Sequence, residues 1–143
     1  MLFHDRLKKE GKKFEYNGDI DDLIETTLLQ LNQTSEEELS SLGEMTVESL
    51  ELAENILGAG AFRRELNRSK PINMNIFEVT LYFMSLILEK NQSVDAQKIE
   101  SGLRRVIVSP EFSDYIGNSR EQKEKVYGRF NLIVSLFEEI SND

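Results

Sequence analysis

An all-α fold, a compact bundle of six or seven helices around a central apolar helix over about residues 74–90, is what this sequence predicts. Three observations carry that expectation. From Ile76 to Leu88 the chain reads Ile-Phe-Glu-Val-Thr-Leu-Tyr-Phe-Met-Ser-Leu-Ile-Leu, with only Glu78, Thr80 and Ser85 clearly polar. No side of such a helix can face water comfortably, so the rest of the chain must cover it. The flanking segments repeat apolar residues at the i, i+3, i+4, i+7 spacing of a single buried helical face. Finally, Asp, Ser or Asn stands before most of these segments, and Gly or Pro breaks the chain between them.

In chain order, residues 1–18 read as a basic N-terminal arm or linker, closed by the Asn17-Gly18 turn, and residues 19–143 as a single helical domain. Asp19 is placed to cap a first helix whose inward face is Ile20, Leu23, Ile24, Thr27, Leu28 and Leu31. Asn32-Gln33-Thr34 closes it, and Ser35 with Glu38 is a capping-box signature for a second helix running to about Leu57. Its expected inner face is Leu39, Leu42, Val47, Leu50, Ala53 and Leu57, with Gly43 as a weak point. Gly58 and Gly60 stop it. Pro71 then forbids a continuous helix, and Asn73 caps the central one, which ends by Asn91. Ser93 is the expected cap of the next helix, with Ala96, Ile99, Leu103 and Val106 inward. Ser109-Pro110 opens a short helix that Gly117 ends. Ser119 and Gln122 make a second capping box for the last helix, whose stripe is Val126, Phe130, Ile133, Phe137 and Ile140.

A chain of 143 residues is one domain by its length and can bury roughly 68–70% of its unfolded surface. It has no cysteine, which excludes a disulfide framework, thiolate metal sites and a cysteine nucleophile. Met1 to Lys13 lacks the apolar core of a secretion signal, and the 13-residue run Ile76–Leu88 is too short for a membrane span, so a cytoplasmic protein is expected. The net charge of −9 is unevenly spread. Between Phe14 and Phe62 there are twelve carboxylates and no Lys or Arg, whereas residues 63–143 carry twelve charges of each sign. Nucleic-acid binding needs cations against phosphates, so that acidic stretch disfavours direct contact with nucleic acid. Its carboxylates are either the solvated faces of two helices or a surface for a basic partner; Glu36, Glu37, Glu44, Glu48 and Glu51 are the candidates for the latter.

Residues suited to catalysis are scarce. His4, the sole histidine, stands near the end of the chain, whereas a histidine metal centre or a Ser-His-Asp triad needs a positioned imidazole and most metal centres need more than one. Gly58-Ala59-Gly60 lacks the following Lys-Ser/Thr of a phosphate loop. Glu44 with Glu48, and Glu51 with Glu54, are spaced as paired carboxylates, but surface acid explains them more cheaply. Arg63-Arg64, Arg104-Arg105, Arg120, Lys123, Lys125 and Arg129 could touch phosphate, though acids nearby dilute each. Glu78 sits early in the most apolar helix, where an unpaired carboxylate is costly. The spacing predicts a clamp in which Arg63 or Arg64 folds back onto it.

The run Leu57-Gly58, Ala61-Phe62-Arg63-Arg64, Pro71-Ile72-Asn73 and Phe77-Glu78 resembles the helical region that follows the nuclease domain in ParB/sulfiredoxin-like restriction proteins of the GmrSD type. The pattern typical there is Phe-Gly, Ala-Phe-Arg-Lys, then Pro-Ile-Asn-Lys-Ala-Leu-Phe-Glu, so Leu57 and Met74-Asn75-Ile76 depart from it. With weaker likeness around Leu23 to Leu42, Ile116-Gly117 and Arg129-Phe130, the resemblance extends over residues 20–140. It implies that Phe62, Arg63, Arg64, Pro71, Asn73, Phe77 and Glu78 are determinants of the fold. The family's Asp-Gly-Gln-Gln-Arg catalytic motif has no counterpart here, so no catalytic, cofactor or metal residue carries over. The expectation is a non-enzymatic accessory module whose partner is a ParB-like nuclease domain, in cis or in trans, with nucleic acid contacted only indirectly and no membrane contact. The alternative is an acidic DNA mimic that binds a basic nuclease; an unrecognised enzyme is a third reading.

Overall fold

The computed structural model describes residues 15–91 and 93–142. Among them the chain folds into six α-helices: α1 Ile20–Asn32, α2 Glu36–Leu57, α3 Met74–Lys90, α4 Ala96–Ile107, α5 Pro110–Tyr115 and α6 Lys123–Asn142. Two 3-10 turns, Gly58–Gly60 and Arg64–Leu66, lie between α2 and α3. The described residues contain no strand beyond an isolated antiparallel bridge between Arg63 and Ile72.

The apolar helix is central, as its composition requires. In α3, Ile76, Val79, Leu81, Phe83, Met84 and Ile87 are all buried, each stabilising the fold by about 1.5–3 kcal/mol. α2 and α6 pack on it, α4 and α5 pack on α6, and α4 also meets α2. Small side chains set the approach of α2 to the core, because its fully buried residues are Ser49 and Ala53. The Ser49 hydroxyl donates to the Met45 carbonyl at 2.7 Å, so its burial leaves no polar group unmet. α6 contributes Val126, Phe130, Ile133 and Leu136, and the Phe130 ring meets Tyr82 edge-on at 5.2 Å. Gly102 lets α4 lie against α6: a methyl group there would stand 2.6 Å from a Leu136 terminal carbon.

Several local expectations change. α4 is capped by Asp95, whose carboxylate accepts from the Gln97 amide at 2.9 Å, and Ser93 precedes the cap. Val94 packs against the core, so the chain must reach inward before the helix can begin. The Ser119/Gln122 capping box does not form. Ser119 adopts φ 55°, the Gln122 amide donates to the Ser119 carbonyl, and α6 starts at Lys123. Tertiary bonds hold this turn: the Arg120 carbonyl accepts from Arg129 and the Glu121 carbonyl from the Tyr16 hydroxyl.

The inner faces of the two acidic helices are narrower than their apolar spacing suggests. On α1 only Leu23 and Thr27 are buried, while Ile24 and Leu28 are exposed, as is Leu29 beside them. On α2, Leu39 and Val47 face outward. Tyr16, placed by sequence in the arm of residues 1–18, is 1% exposed and belongs to the core. Its amide donates to the Tyr127 hydroxyl at 2.9 Å. The rest of that arm, residues 1–14 with His4, lies outside the described residues. No helix among the described residues is long and apolar enough to cross a membrane.

Candidate functional site

Two regions gather the residues singled out above: the connection from Gly58 to Glu78 and the outer face of α2. The connection is strained and tightly held. Gly58 ends α2 at φ 57° and ψ −144°, a conformation that costs a side-chain-bearing residue dearly. Gly60 has no room for more, since a Cβ would lie 2.1 Å from the Leu66 carbonyl oxygen. Phe62, Glu65 and Leu66 all have positive φ, at 64°, 59° and 50°. Strain of this kind persists only where the surroundings over-determine it.

The motif residues supply that determination. The Phe62 ring sits against Phe77 with centroids 4.8 Å apart, and the Phe62 carbonyl accepts from the Asn73 amide at 2.9 Å. Arg63 donates through Nε to the Ala59 carbonyl at 3.1 Å and through a terminal nitrogen to the Lys70 carbonyl, tying the two ends of the loop together. Its backbone bridges to Ile72, the residue after Pro71. Asn73 caps α3 by accepting from the Asn75 and Ile76 amides at 3.0 and 3.2 Å. Arg64 turns outward: it is exposed, as is Pro71, and its side chain makes no hydrogen bond or ion pair among the described residues.

Glu78 is clamped, but by a different cation. Its carboxylate lies 3.7 Å from a terminal nitrogen of Arg129 on α6, in place of the Arg63 or Arg64 contact expected from sequence. Arg63 is engaged with the two loop carbonyls instead. Arg129 is 4% exposed and donates to the Arg120 carbonyl at 2.6 Å, while its Nε has no partner among the described residues. Burial lowers the guanidinium pKa, and the charge of Glu78 pulls against that shift. The signal was present in the chain, because Arg129 stands three residues after Val126 and four before Ile133, on the apolar stripe itself. A charge in such a stripe requires a counter-charge or hydrogen-bond partner.

The α2 surface is simpler. Glu36, Glu37, Glu44, Glu48 and Glu51 are all exposed. Steps of seven, four and three residues place Glu37, Glu44, Glu48 and Glu51 on one face of the helix, and Val47, 53% exposed, stands among them. The other carboxylates between Glu15 and Glu54 are exposed too. Among the described residues no three His, Asp or Glu side chains are arranged to hold a metal ion. What this surface can do is attract and orient a cationic partner. Exposed ion pairs are each worth only about 0–1 kcal/mol, so affinity would come from the apolar groups between the charges. No family model, curated protein or solved structure matches the chain.

Proposed function

We propose that this chain is a non-catalytic helical interaction module, an accessory part of an anti-phage restriction nuclease related to the GmrSD type. One observation carries the interaction reading. Glu37, Glu44, Glu48 and Glu51 share an exposed face around Val47, within a stretch free of Lys and Arg from Phe14 to Phe62. Such a surface suits a basic partner with apolar groups of its own, and a ParB-like nuclease domain, in cis or in trans, is the partner that the pattern from Leu57 to Glu78 suggests. The motif itself acts as architecture: Phe62, Arg63, Asn73 and Phe77 bond mainly to one another and to the loop they enclose.

Calorimetry against a ParB-like domain encoded in the same frame or an adjacent one tests this directly. Binding should weaken at least tenfold when Glu44, Glu48 and Glu51 are changed together to Lys, and should weaken as salt is raised. Absence of binding to any such domain sinks the reading. The unbroken run of exposed carboxylates also favours a second reading, a DNA mimic that blocks a basic nuclease. In that case DNA would compete with the chain for its partner; an accessory module would leave the partner's DNA site open.

A further inference from the structure

The surface around Arg64 carries a different chemistry from the acidic face. Two cavities, of about 550 and 440 Å³, open beside the second 3-10 turn and share Glu65 and Arg104 in their walls. Arg64 borders the first and Arg68 the second. Ile107 and Ile116 line the larger cavity as well. Arg104 is fixed in place, donating to the Glu65 carbonyl at 3.0 Å and to Glu100 at 3.1 Å. Its position in the last turn of α4 explains it as a counter to the helix dipole. Arg64 and Arg68 have no such explanation. Neither side chain has a hydrogen bond or ion pair among the described residues, and both project from a connection tied by the bonds of Arg63 to the Ala59 and Lys70 carbonyls and by the Asn67 side chain, which accepts from the Ser69 amide.

We propose that Arg64, Arg68 and Arg104 form an anion site that takes the phosphate group of a phosphorylated ligand. Arg104 stands in the walls of both adjoining cavities, with Arg64 in one wall and Arg68 in the other, and a planar guanidinium matches phosphate oxygens through paired N–H donors. The held backbone of this connection confines the ordering cost at binding to the arginine side chains themselves. Glu65, exposed at the junction of the two cavities, is the acceptor for a hydroxyl or amino group on the same ligand. The phosphate could belong to a free monoester or to the backbone of a nucleic-acid strand. This site is independent of the acidic face on α2 and does not rest on the partner proposed there.

The test is an amide-resolved NMR titration of the full chain with inorganic phosphate, a nucleoside monophosphate and a short single-stranded oligonucleotide, each at matched ionic strength. Saturable shifts confined to residues 59–68 and 104–116 are expected. Arg64→Ala and Arg68→Ala, which remove no bond within the fold, should each weaken the response about tenfold. Arg120→Ala, which removes the same charge elsewhere, should leave it unchanged. Saturation by the monophosphate and not the oligonucleotide identifies a monoester ligand; the reverse identifies a phosphodiester strand. Shifts that track ionic strength alone, or that survive both arginine substitutions, or that fall equally in Arg120→Ala, overturn the proposal.

Discussion

At the scale of single residues, the Glu78–Arg129 pair matters most, because it places a charge in the core and depends on a partner only partly buried. Arg129 is 5% exposed at its side chain and Glu78 27%. Neutralising Glu78 leaves the buried guanidinium with a carbonyl and no counter-charge. Glu78→Gln is therefore expected to lower unfolding free energy by about 1–3 kcal/mol, below the range for fully buried pairs because water reaches the carboxylate. Urea denaturation followed by circular dichroism measures this, and a change under about 0.5 kcal/mol would show that the pair is incidental. Arg63→Ala should also destabilise, through loss of the Ala59 and Lys70 contacts, whereas Arg64→Ala should not.

Tyr16 makes a second prediction at this scale. Burial raises its phenol pKa above the ordinary value of about 10, with Glu121 adding to the shift and Arg129 opposing it. The folded state then holds the proton more tightly than the unfolded chain. Stability from this group is complete below about pH 10 and falls as pH rises above it, because the unfolded state loses its proton first. Tyr82, also raised by burial, acts in the same direction. Tyr16→Phe should cost about 1 kcal/mol at neutral pH through the lost bond to the Glu121 carbonyl, yet show a shallower decline as pH rises above about 10. Equal slopes for the two proteins would remove Tyr16 from the account.

At the scale of elements, two glycines with opposite surroundings show where helix propensity rules and where space does. Gly43 lies inside α2, and a methyl group added there would meet nothing within 4 Å, so Gly43→Ala should stabilise by about 0.5–1 kcal/mol. Gly60→Ala forces a methyl group into a backbone carbonyl and should destabilise by about 2–4 kcal/mol. Thermal unfolding of the two variants, side by side, is sufficient; a Gly60→Ala protein as stable as the wild type would mean that the turn from Gly58 to Leu66 relaxes freely.

The same scale shows why some boundaries were legible and others not. Asp19, Ser35, Asn73 and Ser109 cap the helices their positions predict, because an N-cap bonds to amides two or three residues away and needs nothing distant. Ser93 and Ser119 fail for tertiary reasons. Val94 is drawn into the core, and the carbonyls of Arg120 and Glu121 are taken by Arg129 and Tyr16. Similarly, Val47 matches an apolar repeat but faces solvent, because close contact with α3 selects the small residues Ser49 and Ala53 for the inside.

For the whole molecule, charge is the dominant asymmetry. Residues 14–62 hold twelve carboxylates and no Lys or Arg, and the structure leaves those carboxylates at the surface. Like charges on one region oppose folding at low salt, so raising the ionic strength from about 0.02 to 0.3 M should raise the thermal midpoint as the Debye length shrinks to a few ångströms. Scanning calorimetry in sodium chloride checks this. A midpoint that falls instead would mean that attractive pairs such as Arg105–Glu139 outweigh the repulsion.

Local pattern along the chain was enough to specify the all-α class, the central place of α3, the caps that use neighbouring amides and the polarity of the acidic stretch. Each of these depends on periodicity or on contacts a few residues apart. Packing in three dimensions was needed to assign Arg129 to Glu78, to bring Tyr16 into the core, to close a loop with Arg63 and to set Arg64 beside Arg104 in the wall of one cavity. The physical reason is distance along the chain: a buried charge announces that it needs a partner, but which cation arrives depends on how α6 lies against α3.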